Sequence, residues 1–237
     1  DPLAGWDATL REIAAAGGDG LASPEDAEWT RNASVYSLFV RTATAFDHDG
    51  DGRLETVSPH GFRETGTFIK TAALLPYIRR LGCNTIHLLP IWAIGIDGRK
   101  GSLGSPYAVK DPYRVDAMLA EPVLGLGAET EFRAFVEAAH HLGLRVVLEF
   151  VLRTAAKDSD WVGAHPDWFY WIPEETVFRA PSFSDEALRE IKERIARGDR
   201  TGLPAPSPSY RALFVPPRRL VDVAWETMRW VGRSDEG

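Results

Sequence analysis

Between Asp47 and Glu55 the chain sets an acid at nearly every second residue, in the run Asp47-His-Asp49-Gly-Asp51-Gly-Arg53-Leu-Glu55. In a tight coil these side chains converge on one point. Hard oxygen ligands at this spacing suit Ca²⁺, with Arg53 offering only its backbone carbonyl. A solvated acidic turn is the competing reading. An EF-hand does not fit, because Ser58 stands at the twelfth position where a bidentate Glu belongs and paired helices do not flank the loop. A structural calcium clip is therefore expected rather than a sensor.

Three further stretches carry groups that can do chemistry. Gly104-Ser105-Pro106-Tyr107, followed by Asp111 and Tyr113, places Tyr107 after an extended Ser-Pro turn. There the ring either stacks on the apolar face of a pyranose or packs under a long loop. In Val146-Val-Leu-Glu149-Phe-Val-Leu-Arg153-Thr154, strand alternation puts Val147, Glu149, Val151 and Arg153 on one face. A mid-strand Glu must be paired or sit in a polar interior. Arg153 at the strand's end either meets a substrate or pairs with Asp158 or Asp160. In His165-Pro-Asp-Trp168-Phe-Tyr-Trp171 four aromatics follow one another, to line a sugar path or pack on a neighbouring domain. Arg114-Val-Asp116 has the Arg-x-Asp form that precedes some glycosidase nucleophiles, but it falls in a loop, and Asp116 is read as structural.

The elements that must position these groups follow from periodicity. Val35–Val40, Asn84–Ile91 and Leu144–Leu152 are short, nearly continuous apolar runs, as strands buried on both faces require. Thr67–Leu81 reads as a helix with Phe68, Ala72, Leu75, Ile78 and Leu81 inward, and Pro76 should kink it or mark a weak turn. Thr130–Leu142 reads as a second helix with Phe132, Phe135, Val136, Ala139 and Leu142 inward, closed by Gly143. Strand and helix alternate, which implies parallel strands joined by right-handed crossovers. A long loop fills Trp92 to about Ala128, and Val221–Val231 reads as a further helix with Val223, Trp225 and Met228 as its apolar points.

Composition narrows the class. The 237 residues are 44% hydrophobic and 26% charged, ordinary for a globular chain with a sizeable core. A net charge of −7 disfavours nucleic acid and anionic membranes, which reward a basic face. The single cysteine, Cys83, excludes an intrachain disulfide and fits a reducing, cytoplasmic compartment. No run reaches the ~18 consecutive apolar residues of a membrane span. The first residue is Asp1, not Met, and a piece of a longer protein is expected.

Together the stretches VYSLFVRTATAFDHDG, GFRETGTFIKTAALLPYIRRLGCNTIHLLPI, GSPYAVKDPY and LRVVLEFVLRTAAKDSDWVGAHPDWFYWI resemble the α-amylase family, glycoside hydrolase family 13, and within it the maltosyltransferases. The resemblance runs from Glu28 to Ile172. It implies an α/β fold, a partial (β/α)₈ TIM barrel comprising the first three β/α units, with an irregular and helical C-terminal tail. On that division, residues 1–33 are a helical segment and linker, 34–172 the barrel units, and 173–237 a helical, Pro-rich insertion or tail. The resemblance also implies retaining chemistry on α-1,4-glucans, as hydrolysis or as maltosyl or other glycosyl transfer. Tyr107 would stack on sugar at the cleavage subsite. Asp47, Asp49, Asp51, Arg53 and Glu55 match a calcium loop of some members, and Glu149 stands where most carry Asp.

Most members end that strand with Asn-His, whereas here Arg153 and Thr154 stand. Arg-Thr-Ala-Ala is similar to the maltosyltransferase branch, and there Arg153 would contact a donor-sugar hydroxyl or phosphate. The retaining reaction needs two carboxyl groups about 5 Å apart, which the family carries on the fourth and fifth strands. Those segments are not recognisable here, and eight units typically take ~250 residues. The chain is therefore expected to be inactive alone. Its expected partners are an α-glucan or maltooligosaccharide and either the remainder of the barrel or a second copy, because open strand edges invite association. The rival reading is a non-catalytic calcium- and carbohydrate-binding fragment, or a decayed enzyme acting through association.

Overall fold

A computed structural model describes residues 2–16, 27–56, 61–152, 154–173, 176, 185–199, 201, 208–214 and 228–233. The chain forms two compact units, Asp1–Ser159 and Asp160–Gly237. Their boundary precedes the division at residue 172 that the resemblance suggested.

The first unit is built on three parallel strands, β1 (Val35–Leu38), β2 (Thr85–Leu88) and β5 (Arg145–Leu148), in the order β1-β2-β5. The register places Ser37 beside His87 and His87 beside Val147, with Leu38, Leu88 and Leu148 in the next row. Side chains alternate across a strand, so these two rows face opposite ways. Leu38, Ile86 and Leu88 join Phe68, Leu75, Ile78, Phe135, Ala139 and Leu144 in one apolar core.

The helices over that face form for local reasons. Helix α1 (Pro2–Ala15) turns Ile13 into the core and leaves Leu10 exposed. The short α2 (Val40–Ala43) takes Val40, which the apolar run had assigned to β1. Residues 67–81 form two helices, α3 (Phe68–Ala72) and α4 (Leu75–Arg80), with a turn between them. The Thr67 side chain caps α3 by accepting from Lys70 N, and Pro76 lies in the first turn of α4, where its missing N–H costs nothing. This break carries Leu81 out to solvent, against the inward face expected of it. Helix α5 (Ala128–His141) buries Phe135 and Ala139, and Arg79 of α4 donates to the carbonyl of Leu142 at its end.

Two differences from the sequence reading bear on the site. The third strand stops at Leu148, although Glu149 N still donates to Leu88 O at 3.0 Å, so Glu149 sits at the strand's C-terminal end and not within it. The stretch read as a long loop contains an antiparallel hairpin, β3 (Trp92–Ile94) with β4 (Val109–Val115), whose pairing is bulged.

The second unit contains α6 (Asp160–Ala164), β6 (Phe169–Pro173), α7 (Asp185–Ala196), α8 (Pro208–Arg211) and β7 (Met228–Arg233). Strands β6 and β7 pair antiparallel. The helix expected over Val221–Val231 is therefore corrected at its described end, where Met228–Val231 is strand, and residues 221–227 lie outside the described residues. Over Met228–Val231 backbone pairing with β6 takes the place of the expected helix.

Candidate functional site

The polar row of the sheet ends at a cluster formed by Ser37, His87, Glu149 and Tyr107. The Tyr107 hydroxyl donates to Glu149 Oε2 at 3.3 Å, and His87 Nε2 lies 3.9 Å from the same oxygen. Ser37 Oγ is 2.8 Å from His87 Nδ1. Trp92 Nε1 donates to the Glu149 carbonyl at 3.2 Å, and the Trp92 ring meets Phe150 edge-on at 5.2 Å.

Several contacts aim Tyr107. Its N–H donates to Ser105 Oγ at 3.2 Å, and its carbonyl accepts from Thr154 Oγ1 at 2.8 Å. Tyr107 remains 42% exposed, so a ligand can reach it. Loss of solvation, then the charge of Glu149 and the hydrogen bond to it, push the Tyr107 phenol above the usual tyrosine range. Arg153 lies outside the described residues. Asp158, one of the pairing partners expected for it, accepts from Ile96 N at 3.0 Å and lies 3.4 Å from Lys110 Nζ, tying the hairpin to the segment after β5.

A buried staple holds the segment that leads to Tyr107. Arg41, only 3% exposed, donates to the carbonyls of Leu103 at 2.6 Å and Gly104 at 3.2 Å, and pairs with Asp116 at 3.4 Å. Asp116 also caps the turn Ala117–Leu119 by accepting from Met118 N. Burial pushes the Asp116 carboxyl up, with Met118 N–H and Arg41 pulling it back, and burial likewise lowers Arg41 against the attraction of Asp116. Asp116 is thus engaged in pairing with Arg41, which holds the 103–104 backbone that leads to Tyr107. Arg41 gave no signal in the sequence beyond being a charge next to an apolar run.

The acidic loop is held by its own backbone. Asp47 Oδ1 accepts from Gly50 N at 2.7 Å and its Oδ2 from Gly52 N at 2.8 Å, which places its carboxyl below the ordinary range, the Gly52 bond contributing most. Gly50 and Gly52 adopt positive φ, which lets the chain wind around that carboxylate. Asp51 Oδ1 accepts from Arg53 N. The carboxylates that converge, with oxygens within 4.8 Å of one another, are Asp47, Asp49 and Glu64. Glu64 is 1% exposed and accepts from His48 N and Glu55 N, both at 2.9 Å. It shares no spacing with the loop, so the sequence offered no signal for it. Asp51, Arg53 and Glu55 lie outside that converging group. A set of three carboxylates fits a hard cation such as Ca²⁺.

In the second unit Phe169 and Trp171 are buried, while the His165 and Trp168 rings stack at 4.0 Å and Trp161 meets Trp168 edge-on at 5.6 Å. Core packing accounts for two of the four consecutive aromatics. Among the described residues no helix is long and apolar enough to cross a membrane.

Known proteins resemble this chain over much of its length. A family model described as the glucanotransferase domain of glycogen debranching enzyme matches residues 62–213. The α-1,4-glucan:maltose-1-phosphate maltosyltransferase of Mycolicibacterium smegmatis is 35% identical over 163 residues, 64% of this chain and 21% of that protein. The enzyme of the same name from Cereibacter sphaeroides is 40% identical over 123 residues, 47% of this chain and 20% of that protein. Among solved structures, an α-amylase from Lactobacillus plantarum is 32% identical with a TM-score of 0.47, covering 65% of this chain and 30% of that one. The chain thus spans about a fifth of the length of these curated relatives. The match of the family model over more than half the chain, on a β/α/β/α/β frame with parallel strands, shows that this chain belongs to the glycogen debranching enzyme glucanotransferase family, as part of an α-amylase-type (glycoside hydrolase family 13) barrel.

Proposed function

We propose that the chain is the front portion of a retaining enzyme that transfers or hydrolyses glycosyl units of α-1,4-glucans, with maltosyl transfer as the finer reading. The observation that carries this is Tyr107, a reachable aromatic face held by Glu149 at the C-terminal end of a parallel sheet, where barrel enzymes keep their working groups. Its relatives are named for an α-1,4-glucan and maltose 1-phosphate, which supports a maltooligosaccharide as ligand. On this reading Tyr107 stacks on a glucose ring and Arg153 contacts a donor hydroxyl or phosphate. On this reading the described residues supply sugar contacts, and the carboxyl pair that the retaining reaction requires is expected to come from elsewhere in the barrel. Ca²⁺, which supplies charge compensation and not bond-breaking chemistry here, would be held by Asp47, Asp49 and Glu64, with Asp51, Glu55 and the Arg53 carbonyl as the further ligands the family resemblance suggests.

Calorimetry with maltoheptaose and the β-linked cellohexaose tests this reading. The purified chain should bind the first and not the second, and release no reducing sugar. Tyr107→Ala should weaken binding about fivefold to tenfold, since aromatic contacts are worth ~1 kcal/mol. Equal binding of both sugars, or an unchanged Tyr107→Ala affinity, contradicts the reading.

A further inference from the structure

Ser37 and His87 extend the Tyr107–Glu149 contact across all three parallel strands. Ser37 and His87 are register partners on β1 and β2, and His87 is the partner of Val147 on β5. Glu149 lies two residues beyond Val147, so alternation returns it to the same face. The side chains follow that order in space. Ser37 Oγ meets His87 Nδ1 at 2.8 Å, His87 Nε2 faces Glu149 Oε2 at 3.9 Å, and the Tyr107 hydroxyl donates to that same Oε2 at 3.3 Å.

We take the tautomer in which the Ser37 hydroxyl donates to Nδ1, which leaves the imidazole proton on Nε2, the nitrogen nearest the carboxylate. At 3.9 Å the His87–Glu149 contact is electrostatic, being longer than a direct hydrogen bond. Glu149 has its backbone fixed from two sides, by Leu88 O and by Trp92 Nε1, so its side chain is the movable link. Among the described residues, Glu149 is the charged group that pairs with His87.

We propose that His87, oriented by Ser37, is a positioning residue that holds the Glu149 carboxylate toward Tyr107 and thereby fixes the sugar-stacking face. The inference rests on the function proposed above for the sugar contact, but the row itself can be read without sugar.

The test follows Tyr107 phenolate absorbance against pH, isolated by subtracting the Tyr107→Phe chain, together with maltoheptaose affinity. In the wild-type chain Tyr107 should ionise above the ordinary ~10 of a tyrosine. Glu149→Gln should bring it down, and His87→Ala should move it the same way because the carboxylate is released. His87→Gln, which keeps an N–H donor near the Nε2 position, should titrate like wild type. In parallel, His87→Ala should weaken maltoheptaose binding about fivefold, the equivalent of one hydrogen bond's net contribution, with His87→Gln restoring most of it. A His87→Ala chain that retains its far-UV circular dichroism and titrates Tyr107 like wild type overturns the proposal. A wild-type chain that binds no maltoheptaose while the titration shifts as stated overturns the functional reading alone and leaves the positioning role supported.

Discussion

On one face of the β1-β2-β5 sheet, Leu38, Ile86 and Leu88 are sealed beneath Phe68, Leu75, Ile78 and Phe135. On the other, Ser37, His87 and Glu149 line up beside an accessible Tyr107. Neighbouring residues of one strand therefore serve opposite ends. Leu88 contributes to stability through close packing, which fails as soon as side-chain volume is removed, whereas His87 orders a site through polar interactions of small net energy. The same division separates two acids. Asp116, 7% exposed, is enclosed with Arg41, while Glu149 faces the open side with Tyr107 and His87.

The buried staple puts this contrast to its hardest test. Arg41→Met leaves the Asp116 carboxylate buried without its partner and should cost about 3–5 kcal/mol in urea unfolding. A loss below ~1 kcal/mol would mean that the pair is not a structural staple. Leu88→Ala should cost about 2–5 kcal/mol, whereas His87→Ala, one residue away, should cost under ~1 kcal/mol. Equal losses would erase the distinction between the two faces.

A subtler change concerns Glu131, buried in α5, whose carboxylate accepts from Glu121 N at 2.8 Å. Burial pushes its carboxyl up, the N–H groups of Glu121 and Ile69 pull it back, and the Glu121 charge adds to the rise. A carboxyl raised on folding binds its proton more readily in the folded chain. Its favourable contribution is complete below the unfolded value of ~4.3 and is lost as pH rises through the higher folded value. The wild-type chain should therefore gain stability relative to Glu131→Gln as pH falls from neutral toward ~4.3. A pH-independent difference would contradict this assignment. Weakest of all should be the response of the acidic loop, where chelation should lower the melting temperature by a few degrees and terbium should bind with sensitised emission. Asp47→Asn and Glu64→Gln should both abolish that emission, and emission retained by both variants would place the cation elsewhere.

The sheet was legible in the sequence because Val35–Leu38, Thr85–Leu88 and Arg145–Leu148 lie within apolar runs bounded by breakers. Helix α5 was legible because Phe135, Ala139 and Leu142 repeat at helical spacing. Pro76 announced the break between α3 and α4. The hairpin was not legible, since Pro112 and the Gly- and Ser-rich turn before it mask β4 as a loop. Of the site, Tyr107 could be picked out from the Ser-Pro turn before it and Glu149 as a charge within an apolar strand, although the strand ends at Leu148, one residue short of it. Glu64, Arg41 and the Ser37–His87 pair could not, because they join the site through folding contacts between residues far apart in the chain.

Nuclear magnetic resonance titration of the isotope-labelled chain with maltoheptaose reports on the proposed sugar-stacking face without relying on turnover. Amide shifts should concentrate at Gly104–Ala108, His87 and Glu149–Phe150, and vanish in Tyr107→Ala. Shifts confined to Trp161–Trp171 of the second unit, with the strand-end residues unmoved, would refute a sugar site at Tyr107.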